Sequence, residues 1–202
     1  MTEFIFIRHG ETDWNRQQRF QGQIDVPLNA AGRGQAERLA ARLASSPADA
    51  LFASDLQRAQ QTAQALAQAW NLRTNSVPAL REQSFGILEG LEVAAVPSLH
   101  PELWEQWLTH QADFALPGGE SLRQVHDRVL DAVRQMAESH PGRRLAVVTH
   151  GGVLDMLWRN AQRLPLHGRR DCAIPNTGIN RLRWRDGQLE ILNWADDAHL
   201  LP

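Results

Sequence analysis

Phe4-Ile5-Phe6-Ile7-Arg8-His9-Gly10-Glu11-Thr12 is an unbroken apolar run that ends in a cation, an imidazole and a glycine. A second apolar run, Leu145 to Val148, ends in the same manner in Thr149-His150-Gly151-Gly152. Short apolar runs of this kind are typical of strands that are buried on both faces of a parallel sheet. We therefore predict that both runs are strands of one sheet, each with a histidine at its carboxyl end.

Stretches of helical periodicity alternate with the predicted strands, which include a third at Leu51 to Ala53. Apolar residues recur three and four positions apart, which predicts one buried stripe on each of three helices. The stripes are Ala36, Leu39, Ala40 and Leu43; Leu56, Ala59, Ala63, Leu66 and Trp70; and Leu122, Val125, Val129, Val133 and Met136. Ser54, with Gln57 three residues later, predicts a capping box at the start of the second helix.

Alternation of strands and helices over most of the chain predicts an α/β fold, as a three-layer α/β/α sandwich within a single domain, residues 1–202. Asp186-Gly187 separates two alternating stretches and predicts a hairpin, which gives the mostly parallel central sheet an antiparallel edge strand. The segment from about residue 83 to 119 interrupts the alternation and is rich in Pro, Gly and Trp. We predict that it is a helical insertion that covers the site as a lid.

Composition excludes several classes of function. The net charge is −2 and the pI is near 6.4, which gives no electrostatic reason to expect nucleic acid as a partner. No apolar run is long enough to predict a membrane span, and a lone cysteine, Cys172, suits a reducing cytoplasm, where we expect the protein to act. All 21 basic residues are arginine, and the chain has no lysine and no tyrosine, which excludes lysine and tyrosine nucleophiles. Nothing in the sequence indicates an oligomeric state.

Two histidines at two strand ends predict a shared binding crevice. Ligands of open parallel sheets lie at the carboxyl ends of the strands, so His9 and His150 can face each other. The glycines that follow them let the backbone approach an anion. Arg8 adds a planar guanidinium that matches phosphate oxygens, and Arg58, in the first turn of its helix, can add another. Together these residues predict a phosphate pocket.

Catalysis of phosphoryl transfer requires a nucleophile and an acid. The neutral imidazole of His9 is a competent nucleophile, and the surrounding cations can spread the charge of the transferring group. Glu82 lies at the entry to the predicted lid and can protonate the leaving oxygen, which contributes roughly 10² to 10⁴ in rate. Glu11 and Glu120 are other candidates for the acid.

The same residues also have purely structural interpretations. Arg58 can pair with Asp55 at the start of a helix, a surface arrangement worth about 0.3 to 0.5 kcal/mol. His150 can be an ordinary buried histidine with a hydrogen-bond partner. Both interpretations become less favourable when the motifs are taken together, because the motifs form an ordered series.

That series is Arg8 to Thr12 with Trp14-Asn15, Gln21 to Leu28 with Gly32, Ser54 to Ala59 with Thr62-Ala63, Arg81-Glu82, Gly86, Glu89-Gly90, Gly118 to Ser121, Thr149 to Gly151, and Asn176-Thr177. It resembles the histidine phosphatase superfamily, on the branch related to cofactor-dependent phosphoglycerate mutases, over nearly the whole chain. The resemblance implies that His9 is the nucleophile, that Glu82 is the proton donor, and that Arg8, Arg58 and His150 bind the phosphate. It also places Asn15, Gln21, Gly22 and Gly151 at the substrate. The family needs no metal, and we expect no cofactor.

Three functions fit this pattern: a phosphatase that acts on small phosphate esters, a mutase of the phosphoglycerate type, and a binding module without turnover. Mutases of the family carry a tyrosine, a lysine and paired arginines in and around the insertion. This chain has no tyrosine and no lysine, and no arginine lies between Arg81 and Arg123. A phosphatase is therefore favoured, although Arg16 or Arg19 could supply a cation for the mutase alternative. A binding module would have no need of Glu82.

Overall fold

A computed structural model of the chain describes residues 1–201, which form one six-stranded sheet flanked by helices. The strands are β1 (Thr2–Arg8), β2 (Ala50–Ala53), β3 (Thr74–Ser76), β4 (Arg144–Thr149), β5 (Ile179–Arg185) and β6 (Gln188–Asp196). The α-helices are α1 (Asp13–Arg16), α2 (Ala30–Leu43), α3 (Gln57–Trp70), α4 (Val96–Leu99), α5 (Pro101–Leu108), α6 (Leu122–Ser139) and α7 (Gly151–Gln162). Short 3-10 helices lie at Pro78–Leu80, Gly86–Leu88, Val93–Ala95 and Ala198–Leu200.

The strand order, β3-β2-β4-β1-β5-β6, places β1 in the interior of the sheet. β1 pairs in parallel with β4, and Arg8 lies opposite Thr149 in the register. The residues that follow, His9 and His150, therefore leave the sheet side by side. β5 pairs with β1 in the antiparallel direction, and β6 pairs with β5 in the same way, as the predicted hairpin requires.

Alternate residues of β1 face opposite helical layers, because side chains alternate along a strand. Phe4 and Phe6 belong to a core cluster that includes apolar residues of α6 and α7. Ile5 and Ile7 belong to another, with apolar residues of α2 and α3. All four side chains are buried, so the strand is apolar on both faces. This arrangement confirms the predicted three-layer sandwich.

The segment of residues 83–119, called the insertion from here on, contains α4, α5 and two 3-10 helices. Its apolar side chains form a small core of their own around Leu88, Val96 and Leu116, together with Phe20. Pro101 separates α4 from α5, because proline has no amide hydrogen to continue the first helix but is tolerated at the first position of the next. The predicted helical character of the segment is confirmed.

The predicted capping box at Ser54 and Gln57 is wrong. Leu56 occupies the N-cap position of α3, and no side chain of its own caps the helix. Two residues separate Ser54 from the helix, so its hydroxyl accepts only from the Leu56 amide, at 3.4 Å. Asp25, from a distant loop, instead accepts the Gln57 amide at 2.6 Å. Within residues 1–201, no helix is both long and apolar enough to cross a membrane.

Candidate active site

His9 and His150 meet at the carboxyl ends of β1 and β4, as the register of these strands requires. Their ring centroids are 5.2 Å apart. Both side chains are buried, at 2% and 0% exposure. The two histidines, about 140 positions apart in the sequence, therefore line one crevice.

The hydrogen bond of His9 determines which ring nitrogen is free. His9 Nδ1 lies 2.7 Å from the carbonyl oxygen of Gly10, which can only accept a hydrogen bond. Nδ1 must therefore carry the proton, and in the neutral ring Nε2 carries the lone pair. Burial and then the charges of Arg58 and Arg8 lower the pKa of His9 well below 6.5, so the ring is neutral at pH 7.

His150 has the opposite tautomer. Its Nδ1 lies 3.3 Å from Nε of Arg58, and a guanidinium can only donate. Burial and the charge of Arg58 lower the pKa of His150 well below 6.5, so the neutral ring carries its proton on Nε2. That buried Nε2 has no hydrogen-bond partner among residues 1–201. A buried donor without a partner is costly, which indicates that the site is built for an acceptor.

Arg58 is the largest fully buried side chain of the core and is not paired with Asp55. Asp55 instead receives two hydrogen bonds from Arg81, at 2.7 and 2.6 Å. Besides its contact with His150, Arg58 donates to the carbonyls of Gly22 and Ile24 at 2.7 and 2.9 Å. The structural interpretation of Arg58 as a surface ion pair is therefore wrong.

Arg8 closes another side of the crevice. Its Nη1 donates to the carbonyl of Ile174 at 2.7 Å, which fixes the guanidinium. Its Nε is buried and has no partner among residues 1–201. Burial lowers the pKa of Arg8 to about 10, an effect that Glu82 opposes and Arg170 reinforces. The side chain is still cationic at neutral pH and offers a second donor without a partner.

Glu82 is held at the edge of the crevice by backbone amides. Oε1 accepts from Gln83 N at 2.8 Å and from Gly152 N at 2.9 Å, while Oε2 is 3.1 Å from the Gly152 amide. The Arg128 guanidinium also fixes the main chain of Glu82 by donating to its carbonyl at 3.0 Å. The less engaged oxygen, Oε2, is the one available to a ligand.

The other two acids are engaged elsewhere. Glu11 accepts from the side chain of Asn29 at 2.7 Å. Glu120 receives two hydrogen bonds from Arg128, at 2.8 and 2.9 Å. Neither side chain lines the cavity at His9, whereas Glu82 does.

That cavity, called the phosphate pocket from here on, has a volume of about 150 Å³ and brings together most of the predicted site. Gly22 adopts φ +50°, a left-handed conformation that favours glycine and turns its carbonyl toward Arg58. The predicted residues that line the pocket are Arg8, His9, Asn15, Gln21, Gly22, Arg58 and Glu82. His150 and Gly151 adjoin it through His9 and Glu82.

Asn15 and Gln21 are positioned by a shared neighbour. The Thr12 amide donates to Asn15 Oδ1 at 3.1 Å, and the Thr12 hydroxyl donates to Gln21 Oε1 at 2.9 Å. Thr12 and Asn15 also form a capping box at the start of α1. Because their oxygens are engaged with Thr12, the amide NH₂ groups of both side chains are free to donate to a ligand.

Arg19 lines the phosphate pocket, but its guanidinium is bound elsewhere. It donates to the Gly90 carbonyl at 2.8 Å and to Glu92 Oε1 at 2.6 Å. Arg16 pairs with Asp13 on the surface at 3.2 Å. Neither of the two arginines considered for a second phosphate is directed into the site as a free cation.

Phe20, Val93 and Arg170 were not predicted at the site. Phe20 and Val93 line the phosphate pocket, and Arg170 borders it beside Gly151. Arg170 comes from an irregular loop after α7, where no periodicity or strand end predicts the direction of a side chain. Among residues 1–201, no three His, Cys, Asp or Glu side chains are grouped so that they could hold a metal ion.

Comparison with known proteins shows the family to which the chain belongs. The model of the histidine phosphatase superfamily (branch 1) matches residues 4–197. The phosphoglycerate mutase-like protein 4 of Arabidopsis thaliana is 38% identical, over 98% of this chain and 86% of the relative. The metal-independent phosphoserine phosphatase of the same plant is 37% identical, over 99% and 84%.

A solved structure shares the whole architecture. The mycobacterial glucosyl-3-phosphoglycerate phosphatase, in complex with VO3, has a TM-score of 0.84 and 28% identity. The alignment covers 96% of this chain and 98% of that chain. The resemblance therefore extends over the sheet, the flanking helices and the insertion.

Proposed function

Because the chain belongs to branch 1 of the histidine phosphatase superfamily, we propose that it is a phosphatase that hydrolyses small phosphate monoesters through a phosphohistidine on His9. One observation carries the proposal. The free Nε2 of neutral His9 shares a buried crevice with donors of Arg8 and His150 that have no hydrogen-bond partner among residues 1–201. A phosphoryl group satisfies both donors and presents its phosphorus to the lone pair.

In the first step, His9 Nε2 attacks phosphorus and the bond from phosphorus to the ester oxygen breaks. Glu82 gives its proton to the leaving oxygen, which departs as an alcohol. The guanidinium groups of Arg8 and Arg58 and the Nε2 proton of His150 stabilise the charge of the transferring group. Because these donors are fixed by Ile174, Gly22 and Ile24, little reorganisation is needed.

In the second step, the Glu82 carboxylate takes a proton from water while the water oxygen attacks phosphorus. The bond from phosphorus to Nε2 breaks, which restores neutral His9 and releases phosphate. The Gly10 carbonyl keeps the proton on Nδ1 of His9 throughout. Nε2 therefore serves as the nucleophile in the first step and as the leaving group in the second. Glu82 acts as acid and then as base, and it is protonated again for the next cycle.

Hydrolysis is favoured over isomerisation by the walls around the phosphate pocket. A mutase must hold a second phosphate, and Arg19 is already bound to Gly90 and Glu92. The insertion presents Phe85 and Val93 to the pocket, and apolar groups offer nothing to offset desolvation of an anion. The two phosphatases named above support the same choice, whereas the mutase-like relative keeps isomerisation as the alternative.

Trapping of the intermediate tests the mechanism. Brief mixing with a labelled substrate, followed by denaturation without acid, is expected to leave phosphate on His9. His9→Ala should abolish both trapping and turnover, while His126→Ala, in α6 and outside the phosphate pocket, should retain both. Mass spectrometry of the digested protein locates the label, and phosphate found on a serine or an aspartate would remove the mechanism.

Product analysis separates phosphatase from mutase. We expect 3-phosphoglycerate with catalytic 2,3-bisphosphoglycerate to give negligible 2-phosphoglycerate, while at least one simple monoester is hydrolysed efficiently. Isomerisation that outpaces phosphate release would favour the mutase. Tight binding of phosphate esters without any turnover would favour a binding module.

A further inference from the structure

A second cavity lies beside the phosphate pocket and has no part in the steps described above. Its volume is about 310 Å³, within the range of small-molecule sites. Phe85 lines both cavities, and Gln83, the neighbour of Glu82, lines the second. Trp107 and Phe114 extend the aromatic wall, and Arg170 lies among the polar lining residues. The second cavity therefore lies next to Glu82, the proposed proton donor.

Arg170 is directed toward the reacting groups. A carbon added as Cβ at Gly151 would lie 3.5 Å from Arg170 Nη1, 3.7 Å from Glu82 Oε2 and 3.8 Å from Arg8 Nε. The three side chains thus surround one small space at the start of α7. The charge of Arg170 also contributes to the lowered pKa of Arg8.

The guanidinium of Arg170 lies near one carboxylate but forms no hydrogen bond with it. Its ion pair with Asp155 is 3.9 Å long between Nε and Oδ1, beyond hydrogen-bond distance. Asp155 is instead bound to the buried Arg159, at 3.2 Å. The side chain of Arg170 is 43% exposed, so a ligand can reach it.

The loop that carries Arg170 is anchored on two sides. Buried Arg159 donates to the carbonyls of Pro165, His167 and Gly168 at 2.8, 3.0 and 2.8 Å. The Gly168 amide donates to the carbonyl of His110 in the insertion at 3.2 Å. These bonds hold the base of the loop against α7 and the insertion, which limits the positions open to Arg170.

We propose that the second cavity, called the alcohol subsite from here on, receives the alcohol part of the ester, and that Arg170 binds a carboxylate on that alcohol. The assignment rests on the proposed function, because the leaving oxygen must face Glu82 and its substituents then point past Glu82 into the subsite. A guanidinium pairs with a carboxylate through two parallel hydrogen bonds. Asp155 offsets part of the local charge, so a monoanion suits this site better than a second phosphate.

A matched pair of substrates tests the assignment. 3-Phosphoglycerate and glycerol 3-phosphate differ only in a carboxylate that replaces a hydroxymethyl group. We expect the enzyme to prefer 3-phosphoglycerate in kcat/KM, and Arg170→Gln to reduce that preference about 10-fold or more. Arg169→Gln removes the same charge from the same loop and should keep the preference.

Several outcomes would overturn the assignment of Arg170. The first is that Arg170→Gln lowers kcat/KM equally for 3-phosphoglycerate and glycerol 3-phosphate, since Arg170 would then support the phosphate pocket. Another is a preference for fructose 1,6-bisphosphate over 3-phosphoglycerate that Arg170→Gln removes, since Arg170 would then bind a second phosphate. Absence of any ester hydrolysis would instead contradict the proposed function.

Binding can be measured without turnover. In the His9→Ala background, calorimetry is expected to show about 10-fold weaker binding of 3-phosphoglycerate when Arg170→Gln is added, and little change for glycerol 3-phosphate. Equal affinities for 3-phosphoglycerate in the presence and absence of Arg170 would overturn the assignment even if no ester were hydrolysed.

Discussion

Arg58 Nε lies 3.3 Å from Nδ1 of His150, and both side chains have 0% exposure. This contact joins a permanent cation to an imidazole in the interior of the protein. The imidazole can remain there only in its neutral form unless an anion enters, because protonation would place two buried positive charges side by side. The same pair therefore links phosphate binding, proton uptake and stability.

Stability is expected to decrease as the pH falls below 6.5. His150 titrates near 6.5 in the unfolded chain, and its pKa is lowered well below that value in the folded protein. Its contribution is therefore complete above pH 6.5 and is lost as the pH falls from that value toward the folded pKa, at up to about 1.4 kcal/mol per pH unit. Urea unfolding of the free protein at pH 7.5 and pH 5 measures this slope.

The variant His150→Gln isolates that contribution from those of other groups. Its free energy of unfolding should depend less steeply on pH than that of the parent, by up to the same slope. Gly34→Ala changes no titratable group and should keep the parent slope. A His150→Gln protein with an unchanged slope would contradict the assignment of a buried neutral imidazole.

Glu82→Gln is expected to affect substrates according to their leaving group. Alkyl phosphates leave as poor alkoxides and should lose roughly 10² or more in kcat/KM, whereas nitrophenyl phosphate should lose much less. The ratio of the two rates reports proton donation directly. Glu11→Gln provides the comparison, because that carboxylate is bound to Asn29 and should leave the ratio unchanged. Equal losses on both substrates in Glu82→Gln would indicate a different role.

Gly152→Ala is expected to displace the acid without removing it. A Cβ at this position would lie 2.2 Å from Oε1 of Glu82, too close for the carboxylate to keep its hydrogen bonds to the Gly152 amide. The variant should therefore show the same loss on alkyl phosphates as Glu82→Gln, with nitrophenyl phosphate less affected.

Gly34→Ala is the matched control, since its Cβ would meet only the flexible end of Arg38, at 4.0 Å. It should keep full activity, and its free energy of unfolding should rise by roughly 0.5 to 1 kcal/mol, because alanine is favoured over glycine in a helix. A fully active Gly152→Ala protein would show that the position of Glu82 is not critical.

Arg58→Lys is expected to lose both activity and stability, although the positive charge is retained. An ammonium group lacks the planar guanidinium that donates to Gly22, Ile24 and His150 from one side chain. Each buried carbonyl left without a partner costs about 1 to 3 kcal/mol, so both kcat and the free energy of unfolding should fall. Circular dichroism and phosphate release measure the two losses, and a fully active lysine variant would contradict this interpretation.

Site residues could be predicted from the sequence where they directly follow a regular strand. His9 and His150 could be placed in one crevice because each directly follows an apolar strand, and parallel strands end at a common edge. β3 was not predicted, since Thr74–Ser76 is only three residues long and shows no apolar run. The cap of α3 was predicted wrongly because Asp25, which supplies it, is distant in sequence. Arg170 was missed because tertiary hydrogen bonds, and not periodicity, set the direction of its loop.

The interior position of β1 also imposes an order on biosynthesis. β1 (Thr2–Arg8) leaves the ribosome well before both strands that flank it, Arg144–Thr149 and Ile179–Arg185. Both edges of this apolar strand thus stay unpaired until those strands are made, and such edges promote aggregation. Nascent chains arrested near residue 140 should therefore bind chaperones and be cleaved readily by protease, unlike the completed protein. The proposed nucleophile, His9, is made long before the strands that hold it in place.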